Sequence, residues 1–195
     1  MSIIEDHLLS AMDRQIAIQL KRCRESLGLS LNDLSARSGV SRAMISKVER
    51  CASSPTAALL GRLCNGLGIT LSGLMVSAER PLAPLARAGQ QPIWRDPATG
   101  LLRTAVSPSG TGSPVEIVRI ELPAGAEVAY EAQRHLDYEQ HVLVLDGSLN
   151  IEVGAEGFAL AAGDCLYMRL NQPLRFGNRS RRSCRYLVMI KKNPG

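Results

Sequence analysis

The apolar positions change their period part-way along the chain. Over the first third they recur at helical spacing: Ile16, Leu20, Cys23 and Leu27 form one stripe at i, i+4, i+7 and i+11. Gly28 ends that segment. Ser30-Leu31-Asn32-Asp33 opens a second helix, a serine cap with an acid three residues on, and Gly39 closes it. Ser41 caps a third helix, Arg42 to Arg50, in which Met44, Ile45 and Val48 turn inward. Pro55 and Thr56 begin a fourth, striped by Leu59, Leu60, Leu63 and Leu67 and stopped at Gly68. Thr70 caps a last short helix through Met75. Five short helices predict an all-α module over residues 12–76.

Residues 77–91, SAERPLAPLARAGQQ, hold two prolines and no strong period, and read as a linker. From there to residue 192 the grammar is that of strands. Leu101–Val106, Val115–Leu122, Val142–Leu145, Leu149–Val153, Cys165–Met168 and Cys184–Ile190 are short apolar or β-branched runs. Gly, Pro, Asn and Asp punctuate them. Asp146-Gly147, between VLVL and SLNIEV, carries a hairpin signal. Many short strands predict an all-β sandwich or small barrel over residues 92–192, so the chain reads as a multi-domain α + β protein.

Composition narrows the function. The 195 residues are 45% hydrophobic and 21% charged, which suits an ordinary globular protein. No run approaches the roughly 20 apolar residues that span a bilayer, and MSIIEDHLLSAMDR lacks the layout of a signal peptide. The five cysteines are odd in number and widely spaced, with no C-x-x-C, which argues against a disulfide framework or a zinc site. Reduced thiols and a cytoplasmic location follow. Cys51, in a connection after a helix, stays open between a bland and a redox role. Net charge is +5, and its location matters. Arg14 to Arg50 holds eight basic and three acidic residues, a local +5, whereas residues 81–195 carry only +2. An anionic polymer would meet the helical module.

Helix two, the turn at Gly39 and helix three match a helix-turn-helix. The segment LSLNDLSARSGVSRAMISKVERCASSPTAALLGRLCNGLGITLSGLM resembles the phage-repressor-like (XRE) helix-turn-helix family along nearly its whole length. Ser35 stands for the family's usual Ala and Cys51 for its usual Gly. The resemblance implies that helix three lies in the major groove, with Arg42, Ala43 and Lys47 at base edges. Arg42 then suits a guanine and Ala43 a thymine methyl. It places Ser30, Ser41, Ser46, Arg50 and Ser54 at or near the DNA backbone. It also implies that Arg24 and Glu49 pair internally, as a structural ion pair.

The downstream half resembles the cupin barrels, a jelly-roll fold, through EQHVLVLDGSLNIEVG and FALAAGDCLYMRLNQPLRFGN. Catalytic cupins hold a metal with a His-x-His, a Glu before the turn glycine and a late His. Spacing from Gly147 puts Gln133-Arg134-His135, Gln140 and Leu174 at those positions. Two amides, one imidazole and a leucine make a poor metal site, so no metal, cofactor or catalytic residue is expected. A one-residue register slip would bring in Glu139 and His141 instead. Gln133, His135, Gln140, Tyr167, Leu174 and Phe176 are the candidate ligand contacts of an apolar barrel interior. Trp94, Tyr130 and Tyr138 are further candidates for its opening.

The reading is a sequence-specific DNA-binding transcriptional regulator of the cytoplasm and nucleoid. A homodimer on a palindromic operator, controlled by a small-molecule effector in the barrel, is the expected form. Two alternatives stay open: a metal-dependent cupin enzyme with an accessory DNA-binding head, and a regulator whose barrel only dimerises.

Overall fold

The computed structural model describes residues 3–75, 84–108, 110–132 and 138–192, the side chains of residues 3–10 and 72 aside. Gln133 and His135, and most of the expected linker, lie outside the described residues.

The N-terminal third forms five helices, α1 (Ile3–Ser26), α2 (Leu31–Ser38), α3 (Arg42–Glu49), α4 (Ala57–Leu67) and α5 (Leu71–Met75). Side-chain oxygens set four starts, the Thr70 hydroxyl accepting from the Gly73 amide at the last of them. Ser30 accepts from the Asp33 amide while the Asp33 carboxylate accepts from the Ser30 amide, a complete capping box. Ser41 and Thr56 accept from the Met44 and Leu59 amides and so cap α3 and α4. Gly39 and Gly68, at φ of 66° and 70°, supply the left-handed residues that end α2 and α4. Ile16, Leu20, Leu34, Ile45, Val48, Leu60 and Leu63 fill the space between helices. Leu27, expected on the α1 stripe, is instead half exposed, since α1 ends at Ser26 and Leu27 falls in the turn after it.

Among the described residues ten strands follow: β1 (Ile93–Arg95), β2 (Leu102–Ala105), β3 (Val115–Leu122), β4 (Glu127–Tyr130), β5 (Tyr138–Asp146), β6 (Ser148–Val153), β7 (Glu156–Ala161), β8 (Cys165–Arg169), β9 (Leu174–Gly177) and β10 (Cys184–Lys192). They form a six-stranded sheet, β1-β2-β3-β10-β5-β8, and a four-stranded sheet, β4-β9-β6-β7, all neighbours antiparallel. The inner faces bury Val118, Val142, Val144, Leu149, Ile151 and Phe176.

Asp146-Gly147 is not a hairpin. β5 pairs with β10 and β8, whereas β6 pairs with β7 and β9, so this turn is a corner where the chain changes sheets. Gly147 takes φ of 84°, and a Cβ there would meet the Ser183 carbonyl and Cys184 Cα at 3.2 Å. The glycine serves a close backbone crossing. The tight hairpin lies one strand later, where Val153 pairs with Glu156 across Gly154-Ala155. A second corner is organised by Asn178, 1% exposed, whose amide donates to the carbonyls of Leu122, Pro123 and Arg182 at 2.7–3.1 Å.

The helical and β modules share one hydrophobic core. Polar contacts join them at both ends of α4. Buried Asp96, just after β1, accepts from the Ala57 amide in the first turn of α4 (3.1 Å), from the Ala98 amide and from the Thr99 hydroxyl. A carboxylate at that helix end also opposes the positive pole of the helix dipole. Before α5, the Thr70 hydroxyl donates to the Glu116 carboxylate on β3 at 2.8 Å. Midway, Gly61 lets Tyr130 approach so closely that a Cβ would meet its ring at 3.0 Å.

Candidate functional site

Two places on the molecule gather the chemistry. The first is the outer face of α2 and α3. Arg42, Ala43 and Lys47 are exposed on α3, and Ser30 and Ser41 are exposed at the N-terminal caps of the two helices. Burial of Ile45 and Val48 on the opposite side of α3 fixes which face looks out. Ser46 is half buried, and its carbonyl accepts from Arg50 Nε at 3.2 Å, so Arg50 curls back along the helix. Ser54 donates to the Asp13 carboxylate at 2.7 Å, which ties it to α1.

The Arg24–Glu49 pair holds this face from behind. Arg24 Nε and Nη2 donate to the two Glu49 oxygens at 2.7 and 2.9 Å, and Nη1 donates to the Leu29 carbonyl at 2.8 Å. Both side chains are nearly buried, and the hydrogen bonds to Glu49 hold the guanidinium pKa above its ordinary value. The fork joins the end of α1 to the end of α3, so it sets the angle at which the exposed residues are presented. After α3, Cys51 sits at φ of 54°, a left-handed conformation at the position where the sequence comparison expected Gly. Its thiol is exposed.

The second place is a cavity of about 80 Å³ inside the barrel. Leu174 and Phe176 of β9, Gln140 of β5, Arg103 of β2, and Tyr186 and Val188 of β10 line it. Tyr130 and Tyr138 line it too, whereas Trp94 is buried elsewhere. Tyr167 does not reach it. β8 turns Leu166 and Met168 toward the interior and Tyr167 outward, where its hydroxyl donates to Glu139 at 3.0 Å. The period-two rule places Gln140 inside and Glu139 outside, where Glu139 accepts from Lys191 at 2.8 Å. Those two hydrogen bonds hold the Glu139 carboxyl below its ordinary pKa. His141, also outside, lies against the Tyr167 ring. The slipped register that would make Glu139 and His141 ligands is not adopted. Among the described residues, no three His, Cys, Asp or Glu side chains converge as a metal site.

One wall of the cavity is missing from any reading of the strands alone: Gly61 and Cys64 of α4, with Thr70 and Leu71, close it from the helical module. Burial pushes the Cys64 thiol up to about 12 and raises the Tyr130 and Tyr186 hydroxyls, while the Arg103 guanidinium pulls all three the other way.

Residues 20–74 match the family model described as "Helix-turn-helix", and residues 118–190 match "Cupin domain". This chain is an XRE-type helix-turn-helix protein with a cupin domain. Over 151 residues it is 29% identical to the HTH-type transcriptional regulator SutR of Escherichia coli (strain K12), covering 77% of this chain and 80% of that protein. Its fold matches the crystal structure of an HTH_3 family transcriptional regulator from Vibrio cholerae at a TM-score of 0.80, with 23% identity, over 95% of this chain and 99% of that one. The likeness to hydroxypropylphosphonic acid epoxidase from S. wedmorenis has a TM-score of 0.48 and 15% identity, over 92% and 98% of the chains, too distant to bear on chemistry. With its helix-turn-helix, its cupin barrel and a regulator among its relatives, this XRE-type protein is a DNA-binding transcriptional regulator. Among the described residues, no helix is long and apolar enough to cross a membrane.

Proposed function

We propose that the protein is a sequence-specific regulator that works as a homodimer on a palindromic operator, under the control of a small molecule held in its barrel. The observation that carries the DNA part is the exposure of Arg42, Ala43 and Lys47 on one capped helix, braced by the Arg24–Glu49 fork. Arg42 reads a guanine edge, Ala43 meets a thymine methyl and Lys47 contacts a further base. Ser30 and Ser41, with the amides they cap, take phosphates, flanked by Ser46. Arg50 and Ser54 contribute by leaving their Ser46 and Asp13 partners. An eight-residue reading helix contacts few base pairs, which favours two copies on two half-sites. The site of action is the nucleoid in the cytoplasm.

The cavity beneath α4 supports effector control, and the outward course of Glu139 and His141 supports a barrel that binds rather than catalyses. Linkage supplies the mechanism: a ligand that prefers one placement of α4 against the barrel shifts the affinity for DNA.

Selection from random DNA should return a palindrome. Arg42→Ala with Lys47→Ala should then weaken binding to that sequence about a hundredfold, each lost base contact being worth about 1–3 kcal/mol, while the circular dichroism spectrum stays unchanged. Retention of full specific affinity by the double variant would remove α3 as the reading helix.

A further inference from the structure

The outer faces of the two sheets differ. On the four-stranded sheet Ser148, Asn150 and Glu152 of β6 and Arg175 of β9 alternate outward, polar throughout. The six-stranded sheet is the opposite. Burial of Tyr186, Val188 and Ile190 on β10, and of Val142 and Val144 on β5, turns Leu187, Met189, His141, Leu143 and Leu145 outward. Ile117 of β3 and Tyr167 of β8 face the same way. Among the described residues seven large apolar side chains are exposed, and four of them, Ile93, Val115, Leu145 and Tyr167, stand on this one face. Apolar surface gathered on one face, rather than scattered, marks a contact surface.

The strand register gives that face a centre and a rim. Leu187 lies beside Leu143 and Met189 beside His141 in the middle rows. Ile117 flanks Met189, and Tyr167 flanks His141. Charged pairs close both ends, Lys191 with Glu139 at 2.8 Å and Arg185 with Asp146 at 3.1 Å. Interfaces between proteins share this layout of apolar centre and polar rim. Strands β3, β10, β5 and β8, about 4.8 Å apart and rising about 3.3 Å per residue, outline roughly 500–600 Å² before side-chain relief is counted. A standard interface takes about 600–1,000 Å² from each partner, so the face reaches the size of a stable one.

The charges select how a second copy sits. A two-fold axis along the strands, between β10 and β5, lays β10 of each copy on β5 of the other. Leu187 then meets the partner's Leu143 and Ile117 the partner's Tyr167. Lys191 meets the partner's Glu139 and Arg185 the partner's Asp146, so each end becomes a ring of four alternating charges. An axis across the strands instead stacks Arg185 on the partner's Lys191 and Asp146 on the partner's Glu139, like on like, which an interface rejects.

We infer that the outer face of the six-stranded sheet pairs with the same face of a second copy, about a two-fold axis running along β10 and β5. This rests on the homodimer reading above and names its interface, which uses no residue of α2 or α3. The contact is isologous and closed, so it yields pairs and not filaments.

The test uses the full chain, by sedimentation and native mass spectrometry at micromolar concentration. The wild-type chain should run as a dimer. Arg185→Glu and Asp146→Arg, at positions more than half exposed, should each weaken it about tenfold, since each sets like charges together twice across the axis. Mixed, the two variants should pair again as a heterodimer, resolved by mass and in excess of the statistical half. Leu187→Asp, at the apolar centre, should weaken pairing about a hundredfold with an unchanged circular dichroism spectrum. Should that variant lose its fold, the exposed charge pair decides alone. A wild-type dimer that all three variants keep at full strength would overturn the face while the homodimer stands. Weakening without recovery in the mixture would overturn the axis along the strands. A wild-type chain that stays monomeric, both free and on the selected operator, would remove the homodimer and this face together.

Discussion

The reading head and the barrel solve opposite problems with their polar groups. In the head Arg42, Ala43 and Lys47 face out, and a strong ionic contact, Arg24–Glu49, is hidden behind them as a brace. In the barrel the charges on the outside pair with one another, Arg175 with Glu127 and Glu152, Arg185 with Asp146, Lys191 with Glu139. Gln140, next to Glu139 on the same strand, turns inside and lines the cavity. A long polyanion needs exposed donors on a rigid helix, whereas a few-atom ligand needs enclosure. What joins the two solutions is α4, which packs on α2 with one side and closes the cavity with the other.

That contrast can be broken at graded cost. Removing the brace with Arg24→Met leaves Glu49 buried and unpaired, and should destabilise the fold by about 3–5 kcal/mol, read as a Tm lower by roughly 10 °C. Operator affinity should fall as well, since α3 loses its backing. Asp96→Ala attacks the joint instead. Loss of the carboxylate that caps α4 should take about 2–3 kcal/mol and let head and barrel melt in separate steps, visible as two calorimetric transitions where the wild-type chain has one. Cys51→Gly should do the reverse on a small scale. Relief of the left-handed cysteine should stabilise the head by up to about 1 kcal/mol, measured by urea unfolding, with the barrel untouched.

The smallest effect concerns pH. The hydrogen bonds with Ser30 hold the Asp33 carboxyl below its ordinary pKa. A depressed carboxyl contributes stability above its unfolded value and loses it as pH falls through its folded one. Asp33→Asn should therefore show a Tm deficit near neutrality that persists to the ordinary aspartate range and closes below it.

Much of the head was legible because its signals are local. Ser30 with Asp33, Ser41, Thr56, Gly39 and Gly68 each mark a boundary within four residues of themselves, and the structure places caps at all five. Alternation along β5 likewise separated Gln140 from Glu139. The same alternation, applied to Leu166, Tyr167 and Met168, contained the signal that Tyr167 points outward. Asp146-Gly147 misled for a physical reason: a turn signal states that the chain reverses, and says nothing about which sheet the next strand joins. The contacts of Asp96 with Ala57, Thr70 with Glu116 and Gly61 with Tyr130 span dozens of residues, and no periodicity encodes them. The helical wall of the cavity was invisible for that reason.

The seat of Ala57 on Asp96 has a consequence for exchange of parts. Helix-turn-helix heads look interchangeable, since each reads DNA with its own short helix. This one is keyed to its barrel: a transplanted head would need a buried acid for the start of α4, an acceptor for Thr70 and an aromatic ring fitted to a bare Gly61. A chimera meant to change operator preference while keeping the joint between head and barrel should therefore graft only the outward residues of α3 and leave α4 in place.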